Sequence, residues 1–190
     1  MGEDVANLTE RDPWPVLDAA PDLMESDVHV WRAPLVVADD LRAAYAATLT
    51  SAETSRAARF LRDDLRRASV VSRGTLRAVL GAYLGRDPAS LAIADDGSGK
   101  PHLVGSRSGV TFNVSHSGDV LLVAVALDRA VGVDVEAMTD DRDLDLVVRR
   151  YFTADERASL DDAPDRRAAF FRLWTRKEAV LKASGVGIMD

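Results

Sequence analysis

TFNVSHSGDVLLVAVALDRAVGVDVE, residues 111–136, is the stretch of sequence that decides the fold. Residues 111–114 are β-like, and residues 121–127 form an apolar run continuous enough to be a buried strand. Asp128 and Arg129 predict a turn, and residues 131–136 then alternate in the manner of a further strand. The centre of the chain is therefore predicted to be rich in strands.

Helical patterns flank this centre on both sides. A strand-like run at 28–31 precedes predicted helices at about 40–49 and 52–60, with Thr50 or Ser51 as the cap of the second. The longest helical pattern, 64–84, ends at Gly85 and has apolar candidate core positions at Leu65, Val70, Leu76, Val79, Leu80 and Tyr83. A short strand at 91–93, a turn at 95–99 and helices at about 142–151, 154–160 and 165–183 complete an α+β pattern.

The order of the elements predicts two similar halves. The first, at 28–128, reads as a strand, helices and several strands, and the second, at 129–190, as a strand and helices. We therefore expect the second half to be truncated, without its closing strands. Residues 1–27 contain three prolines and lack periodicity, which indicates an acidic irregular arm. Two halves in one chain favour a monomer.

Composition excludes several kinds of site. The chain of 190 residues has a net charge of −7, and ten acidic but only two basic residues fall within 1–40. The absence of cysteine excludes disulfides, thiolate catalysis and Cys-ligated zinc. An acidic N-terminus and the lack of an apolar run of about 18 residues predict neither a signal peptide nor a membrane span. A cytoplasmic protein is expected.

The three lysines of the chain, Lys100, Lys177 and Lys182, stand against 21 arginines. Lysine is a compact point charge that shifts its pKa on burial, so it can serve as an acid or base where arginine cannot. Lys177 and Lys182 flank Glu178 on the last predicted helix, and Glu178 and Lys182 share one face. The pair is either a surface ion pair or a carboxylate beside a cationic acid, and the restriction of lysine to these segments is either functional or chance.

Two further clusters of polar residues have a chemical and a structural explanation. Asp134 and Glu136 are expected to project to the same side of an extended segment. They are either ligands of Mg²⁺ or two solvated acids on a half-exposed strand. Ser115 and His116 follow a strand in FNVSHSG, residues 112–118, where hydroxyl and loop N–H groups could bind phosphate. No nucleophile elbow accompanies them, so they do not predict a serine hydrolase.

The order and spacing of these motifs resemble those of the 4′-phosphopantetheinyl transferases, in particular the surfactin-synthetase-activating (Sfp-type) subclass. The resemblance covers about 50–190 and rests on GKP at 99–101, FNVSHSG at 112–118, GVDVE at 132–136, FTADE at 152–156 and W-x-x-K-E-x-x-x-K from Trp174 to Lys182. It implies a 4′-phosphopantetheinyl transferase fold, a pseudo-twofold pair of similar α+β halves with coenzyme A in the cleft between them.

The resemblance also implies a reaction. Such enzymes move 4′-phosphopantetheine from coenzyme A to a serine of an apo acyl- or peptidyl-carrier protein of fatty-acid, polyketide or nonribosomal-peptide synthesis, and release 3′,5′-ADP. By similarity, the catalytic residues are Glu178, Lys182 and His116, and the ligands of Mg²⁺, or of Mn²⁺ in its place, are Asp134, Glu136 and Glu178. Coenzyme A contacts are implied for Lys100, Pro101, Ser115, His116, Lys177 and Lys182.

The chain departs from the family pattern where arginines are expected to bind the coenzyme A 3′-phosphate. Arg56, Arg59, Arg66 and Arg67 lie near these positions, but Ala68 stands where one arginine is expected. Arg67 is the candidate to substitute for it after a shift of one residue, and Arg59 is the second candidate contact. An alternative function is a non-catalytic or truncated homologue that binds coenzyme A or a carrier protein without transfer. Eight arginines between Arg56 and Arg86 are also compatible with a nucleic-acid-binding protein. No recognised nucleic-acid-binding module accompanies them, so no nucleic-acid partner is expected.

Overall fold

The structure, a computed structural model, describes residues 20–96, 99–139 and 144–185. Most of the predicted acidic arm, the middle of the predicted turn at 97–98, the start of the helix predicted at 142 and residues 186–190 lie outside the described residues.

Three helices follow the first strand, as the sequence predicts. Strand β1 spans Val28–Pro34, and helices α1, α2 and α3 span Asp39–Thr48, Ser51–Ala58 and Asp63–Leu84. Thr50 caps α2 in a capping box, because its hydroxyl accepts from the Glu53 N–H while the Glu53 carboxylate accepts from the Thr50 N–H. Gly85 ends α3 in the left-handed conformation with φ of 58°, which confirms it as the terminator.

The strands form a two-stranded and a three-stranded sheet. A 3₁₀ turn at Pro88–Ser90 leads to the antiparallel pair β2, Ile93–Asp95, and β3, Pro101–Leu103. Strands β4, Val110–Ser117, and β5, Val120–Leu127, join β1 in an antiparallel sheet of order β1-β5-β4. The strand predicted at 91–93 begins later than expected, because the Leu91 carbonyl accepts a hydrogen bond from Arg77 instead of a strand partner.

The central strand β5 is buried on both faces, as its continuous apolar sequence predicts. Val123 and Val125 contact the main core, in which the sheet packs against α3, whereas Ala124 and Ala126 face the opposite side with Val131 and Val133. Among the predicted core positions of α3, Leu76, Val79 and Leu80 are buried and Val70 and Tyr83 are half-buried. The prediction for Leu65 is wrong: its side chain is 43% exposed, because it lies in the first turn of α3 beside a surface cavity.

Residues 131–139 do not form the strand predicted at 131–136. This segment, called here the acidic segment, lies along β4 and is held by side chains instead of main-chain pairing. Asn113 Oδ1 accepts from the Val133 N–H at 2.9 Å, and Ser117 Oγ accepts from the Ala137 N–H at 2.9 Å. The apolar–acidic alternation therefore indicated an extended backbone correctly but not its hydrogen-bond partners.

Three helices follow the acidic segment, in agreement with the sequence. Helices α4, α5 and α6 span Leu144–Tyr151, Ala154–Asp161 and Arg166–Ser184. Their shared core is aromatic, with Phe152, Phe170 and Trp174 stacked at centroid separations between 5.4 and 6.3 Å. The mixed helices and sheets confirm the α+β prediction.

Helix α6 rests directly on Gly132 of the acidic segment. A Cβ atom at this position would lie 1.9 Å from the Ala179 carbonyl oxygen and 2.6 Å from the Ala183 nitrogen. Only glycine allows this approach of two backbones, and the approach brings the last turns of α6 next to Asp134.

Candidate functional site

Two serines of β4 hold the two acidic residues of the acidic segment. Ser115 Oγ donates to Asp134 Oδ1 at 2.8 Å and accepts from the Val135 N–H at 3.4 Å. Ser117 Oγ donates to Glu136 Oε2 at 3.3 Å. Because side chains two apart on a strand share a face, β4 presents both hydroxyls to the acidic segment together. Each serine thus fixes one carboxylate, and the Ser115 hydroxyl is engaged by groups of the protein itself.

Lys182 of α6 closes an ion pair over Asp134. Its ammonium donates to Asp134 Oδ1 at 2.6 Å and to Ser115 Oγ at 3.0 Å, and the Asp134 side chain is only 5% exposed. Burial of a carboxylate is costly unless cations or donors compensate it, and Lys182 supplies this compensation. Asp134 Oδ2 is nevertheless buried without a hydrogen-bond partner. One oxygen of the carboxylate is therefore left for a further cation or donor.

The three predicted metal ligands are distributed over the acidic segment and α6. Glu136 and Glu178 are both half-buried, and Glu178 lies one helical turn before Lys182 on the same face of α6. Within the described residues, no group of three or more histidine and acidic side chains is close enough to hold a metal ion. The metal assignment to Asp134, Glu136 and Glu178 thus stays a prediction.

Lys100, a predicted coenzyme A contact, reaches α6 in this structure. Its ammonium donates to the main-chain carbonyl of Lys182 at 2.6 Å. Lys100 directly precedes β3, so this bond links the β2–β3 hairpin to the C-terminal turn of α6. Lys100 also lines a cavity of about 910 Å³ together with Pro101, Phe112 and Arg129.

Lys177, another predicted ligand contact, joins α6 to α5. Its ammonium lies 2.7 Å from both Oε1 and Oε2 of Glu156 and 5.4 Å from the centroid of the Phe152 ring. Glu156 also accepts from the Thr153 N–H at the start of α5. The hydrogen bond from Lys177, followed by that from the Thr153 backbone, lowers the pKa of Glu156 below its ordinary value of 4.5. The FTADE and WxxKE motifs therefore meet in one ion pair.

His116 and Pro101, two predicted coenzyme A contacts, line a second cavity of about 590 Å³. The N-terminal half of α3 forms its other wall through Ala68, Ser69, Ser72 and Arg73, and Arg56 of α2 stands at its edge. Ala68, which departs from the family pattern, is thus part of this wall.

Arg67 and Arg59, the arginines predicted from sequence as coenzyme A contacts, do not line this cavity. Arg67 is paired with Asp63 one turn earlier on α3 and lines a different cavity, of about 320 Å³. Arg59, exposed at the end of α2, does not line the cavity with His116.

Arg56 and Arg73 line the His116 cavity beside four acidic residues, Glu53, Asp64, Asp95 and Asp119, and sequence reasoning did not single out Arg73. Arg73 pairs with Asp95 at 2.9 Å and with Glu53 at 3.3 Å, and Arg56 pairs with Asp95 as well. Burial lowers the pKa of the Arg73 guanidinium, although the neighbouring Glu53 opposes this effect. Arg73 Nη1 is buried without a hydrogen-bond partner. The spacing of Arg73 and Arg77, one turn apart in an otherwise apolar face, is the sequence signal that could have found them.

These residues form two regions, the carboxylate cluster beside α6 and the His116 cavity, which is lined by charges of both signs. Buried carboxylates with an ammonium beside them can bind a hard cation or manage a proton, and the partnerless Arg73 Nη1 offers a donor to an anion. No helix within the described residues is long and apolar enough to cross a membrane.

Comparison with known proteins bears on both parts of the chain. Residues 37–128 match the family model for the 4′-phosphopantetheinyl transferase N-terminal region, and residues 130–190 match that of the 4′-phosphopantetheinyl transferase superfamily. The 4′-phosphopantetheinyl transferase HetI of Nostoc sp. is 41% identical over 171 residues, which are 87% of this chain and 72% of that protein.

Two further relatives match this chain over a smaller part of their own length. The 4′-phosphopantetheinyl transferase psf-1 of Bacillus pumilus is 35% identical across 68% of this chain and 54% of its own. The L-aminoadipate-semialdehyde dehydrogenase-phosphopantetheinyl transferase of Xenopus laevis is 32% identical across 68% of this chain and 46% of its own. Since the motifs, the α+β fold and a relative that shares most of its length all agree, the chain belongs to the 4′-phosphopantetheinyl transferase family.

Proposed function

We propose that this protein transfers 4′-phosphopantetheine from coenzyme A to a serine of an apo acyl- or peptidyl-carrier protein and releases 3′,5′-ADP. The observation that carries the proposal is the buried cluster of Asp134, Ser115 and Lys182 at the contact between the acidic segment and α6. In this cluster the Asp134 carboxylate, which has one oxygen without a partner, lies next to the Lys182 ammonium, and Lys182 follows Glu178 by one helical turn. The family to which the chain belongs is named for this transfer.

The chemistry assigned to α6 requires a base and a cation on the same helix face. In the proposed step, the Glu178 carboxylate takes the proton of the carrier serine hydroxyl, directly or through water. The serine oxygen forms a bond to the β-phosphorus of coenzyme A, and the bond from this phosphorus to the bridging oxygen breaks. Lys182 stabilises the charge that develops on the departing phosphate or protonates it. Their spacing of one turn suits the two roles.

Mg²⁺, with Mn²⁺ as an alternative, is the proposed metal, held by Asp134, Glu136 and Glu178. The support is the donor chemistry, since hard carboxylate oxygens suit this ion, and the buried Asp134 Oδ2 that lacks a partner. When bound, such an ion neutralises negative charge on the pyrophosphate. Ser115 and Ser117 hold two of the three carboxylates that would bind the ion.

The His116 cavity is the proposed site for the adenosine 3′-phosphate end of coenzyme A. The support is its volume of about 590 Å³, its lining by His116 and Pro101, and the partnerless Arg73 Nη1, which can donate to a phosphate. Arg56 and Arg73 are also paired with Asp95 of the same lining. His116 would contribute a polar ring from β4, and Arg59 and Arg67, which do not line this cavity, stay sequence-based candidates for the 3′-phosphate. The same proposal includes membership of the Sfp-type subclass, a monomeric state, a cytoplasmic location, and two halves at 28–128 and 129–190.

Loading of a carrier protein tests this function. The full chain, coenzyme A and an apo carrier are incubated with Mg²⁺, and the carrier is followed by mass spectrometry for the gain of one phosphopantetheine. We expect the gain to require Mg²⁺ and to be abolished in Glu178→Gln, while circular dichroism shows that the fold persists. Full activity of Glu178→Gln would refute the role of Glu178. Calorimetric binding of coenzyme A without product on several carriers would instead identify a non-catalytic homologue.

A further inference from the structure

The C-terminal turn of α6 is anchored from outside the helix. Gly185 ends the helix in the left-handed conformation, and its N–H donates to the Leu181 carbonyl. The next carbonyl, that of Lys182, belongs to the last four of the helix, which have no N–H partner within it. This carbonyl accepts the Lys100 ammonium at 2.6 Å. A cation at this end also interacts favourably with the helix dipole.

Lys100 is itself held firmly by its own hairpin. Its main-chain N–H donates to Asp96 Oδ1 at 2.8 Å, and its carbonyl accepts from the Asp96 N–H at 2.9 Å. The Gly99 N–H donates to the Asp96 carbonyl at 2.9 Å. The main chain of Lys100 is therefore held by Asp96 at the start of β3, and its side chain extends from this fixed point to the Lys182 carbonyl.

The residue whose carbonyl Lys100 binds is the one whose side chain reaches Asp134. Lys182 thus has its main chain fixed by the hairpin and its ammonium fixed at 2.6 Å from Asp134 Oδ1. A shift of about 1 Å in such a group can lower a rate by roughly two orders of magnitude.

We propose that Lys100 is a positioning residue, which fixes the last turn of α6 and through it the Lys182 ammonium, and that its main role is not to bind phosphate. This inference rests on the proposed transfer function for its kinetic consequence only. The two roles differ in the step that they affect. A phosphate ligand lowers the KM for coenzyme A, whereas a residue that places Lys182 acts on kcat.

The experiment compares Lys100→Met, Lys100→Arg and the control Arg107→Met in the full chain. Methionine keeps the length of the side chain without the charge, and arginine restores a cationic donor. Arg107 is an exposed arginine between β3 and β4, so its replacement controls for the lost charge. Carrier loading gives kcat and KM, calorimetry gives the Kd of coenzyme A, and hydrogen exchange reports on the amides of residues 181–185.

We expect Lys100→Met to lower kcat on the order of tenfold, with KM and Kd for coenzyme A within about twofold of the parent. Exchange in residues 181–185 should accelerate, because the last turn frays without its cap. Lys100→Arg should recover most of kcat, and Arg107→Met should match the parent in every measurement.

Two results would overturn the proposal: unchanged exchange at the end of α6, or a tenfold rise in KM and Kd with kcat preserved. If the parent protein loads no carrier, the transfer function fails, but exchange and coenzyme A binding still decide the role of Lys100. Lys100→Gln, which keeps a neutral donor, serves in place of the methionine variant if that variant does not fold, with the same criteria.

Discussion

Replacement of Gly132 by alanine tests whether α6 owes its position to a backbone contact. The added Cβ would lie 1.9 Å from the Ala179 carbonyl oxygen, whereas ordinary contacts begin at 3.4 Å. Helix α6 or the acidic segment must therefore move by about 1.5 Å, the difference between these two distances. The φ of Gly132 is not positive, so alanine brings no backbone strain of its own.

The magnitude follows from two opposing effects. Overpacking of this kind typically costs about 1–3 kcal/mol, and a clash with backbone belongs at the upper end because no side chain can rotate away. Alanine also stiffens the unfolded chain, which offsets about 0.4–1 kcal/mol of this. We expect Gly132→Ala to lose about 2 kcal/mol of unfolding free energy. Carrier loading should fall by up to roughly 100-fold, because Lys182 moves with the helix.

Urea unfolding followed by circular dichroism measures the first quantity, and carrier loading at saturating coenzyme A measures the second. Val180→Ala is the matched control, since Val180 lies on α6 next to the contact but is 66% exposed. Its unfolding free energy should stay within about 0.5 kcal/mol of the parent. Truncation of Ala183 to glycine in the Gly132→Ala background should not restore stability, because the clash involves backbone atoms. A Gly132→Ala protein as stable and active as the parent would refute the packing argument.

Two ion pairs give further predictions. Glu156→Gln keeps an acceptor for the Thr153 N–H but removes the charge facing Lys177, so at pH 7 it should lose at most about 1 kcal/mol in urea unfolding. Because the pKa of Glu156 is lowered in the folded protein, this contribution to stability is present above the unfolded-state pKa and is lost as the pH falls through the folded-state pKa. The unfolding free energies of parent and variant should therefore converge in acid. A difference that persists there would contradict the assignment. Lys182→Met leaves Asp134 buried beside Ser115 alone and should cost about 1–3 kcal/mol, part of which Asp134→Asn should recover in the double variant; strictly additive losses would show that the pair is not coupled.

Much of the fold could be predicted because local signals and tertiary structure agree. The effects of three features are local: Thr50 caps α2, Gly85 ends α3, and the apolar run of β5 forms a strand. Leu65 shows where such reasoning fails. It has the periodicity of a core residue, but whether a first-turn position is covered depends on what packs against the helix end.

The candidate site was harder to predict, because its contacts connect distant residues. The type and position of Lys182 indicated a chemical role, but only the structure shows its ammonium on Asp134. Lys177 carried an equally specific signal, and its ion pair with Glu156 joins two motifs that the sequence could place only in order. Arg73 was hidden among many arginines, since its burial depends on the approach of α2 and β2 to α3.

The side chains of β4 act as a molecular ruler for the acidic segment. The N–H groups of residues 133, 135 and 137 each pair with a side chain 20 positions earlier, so the two stretches advance in step. A slip of one residue would turn both carboxylates away from the serines and present apolar side chains in their place. The placement of the two carboxylates thus depends both on the sequence of the acidic segment and on the alternation of side chains along β4.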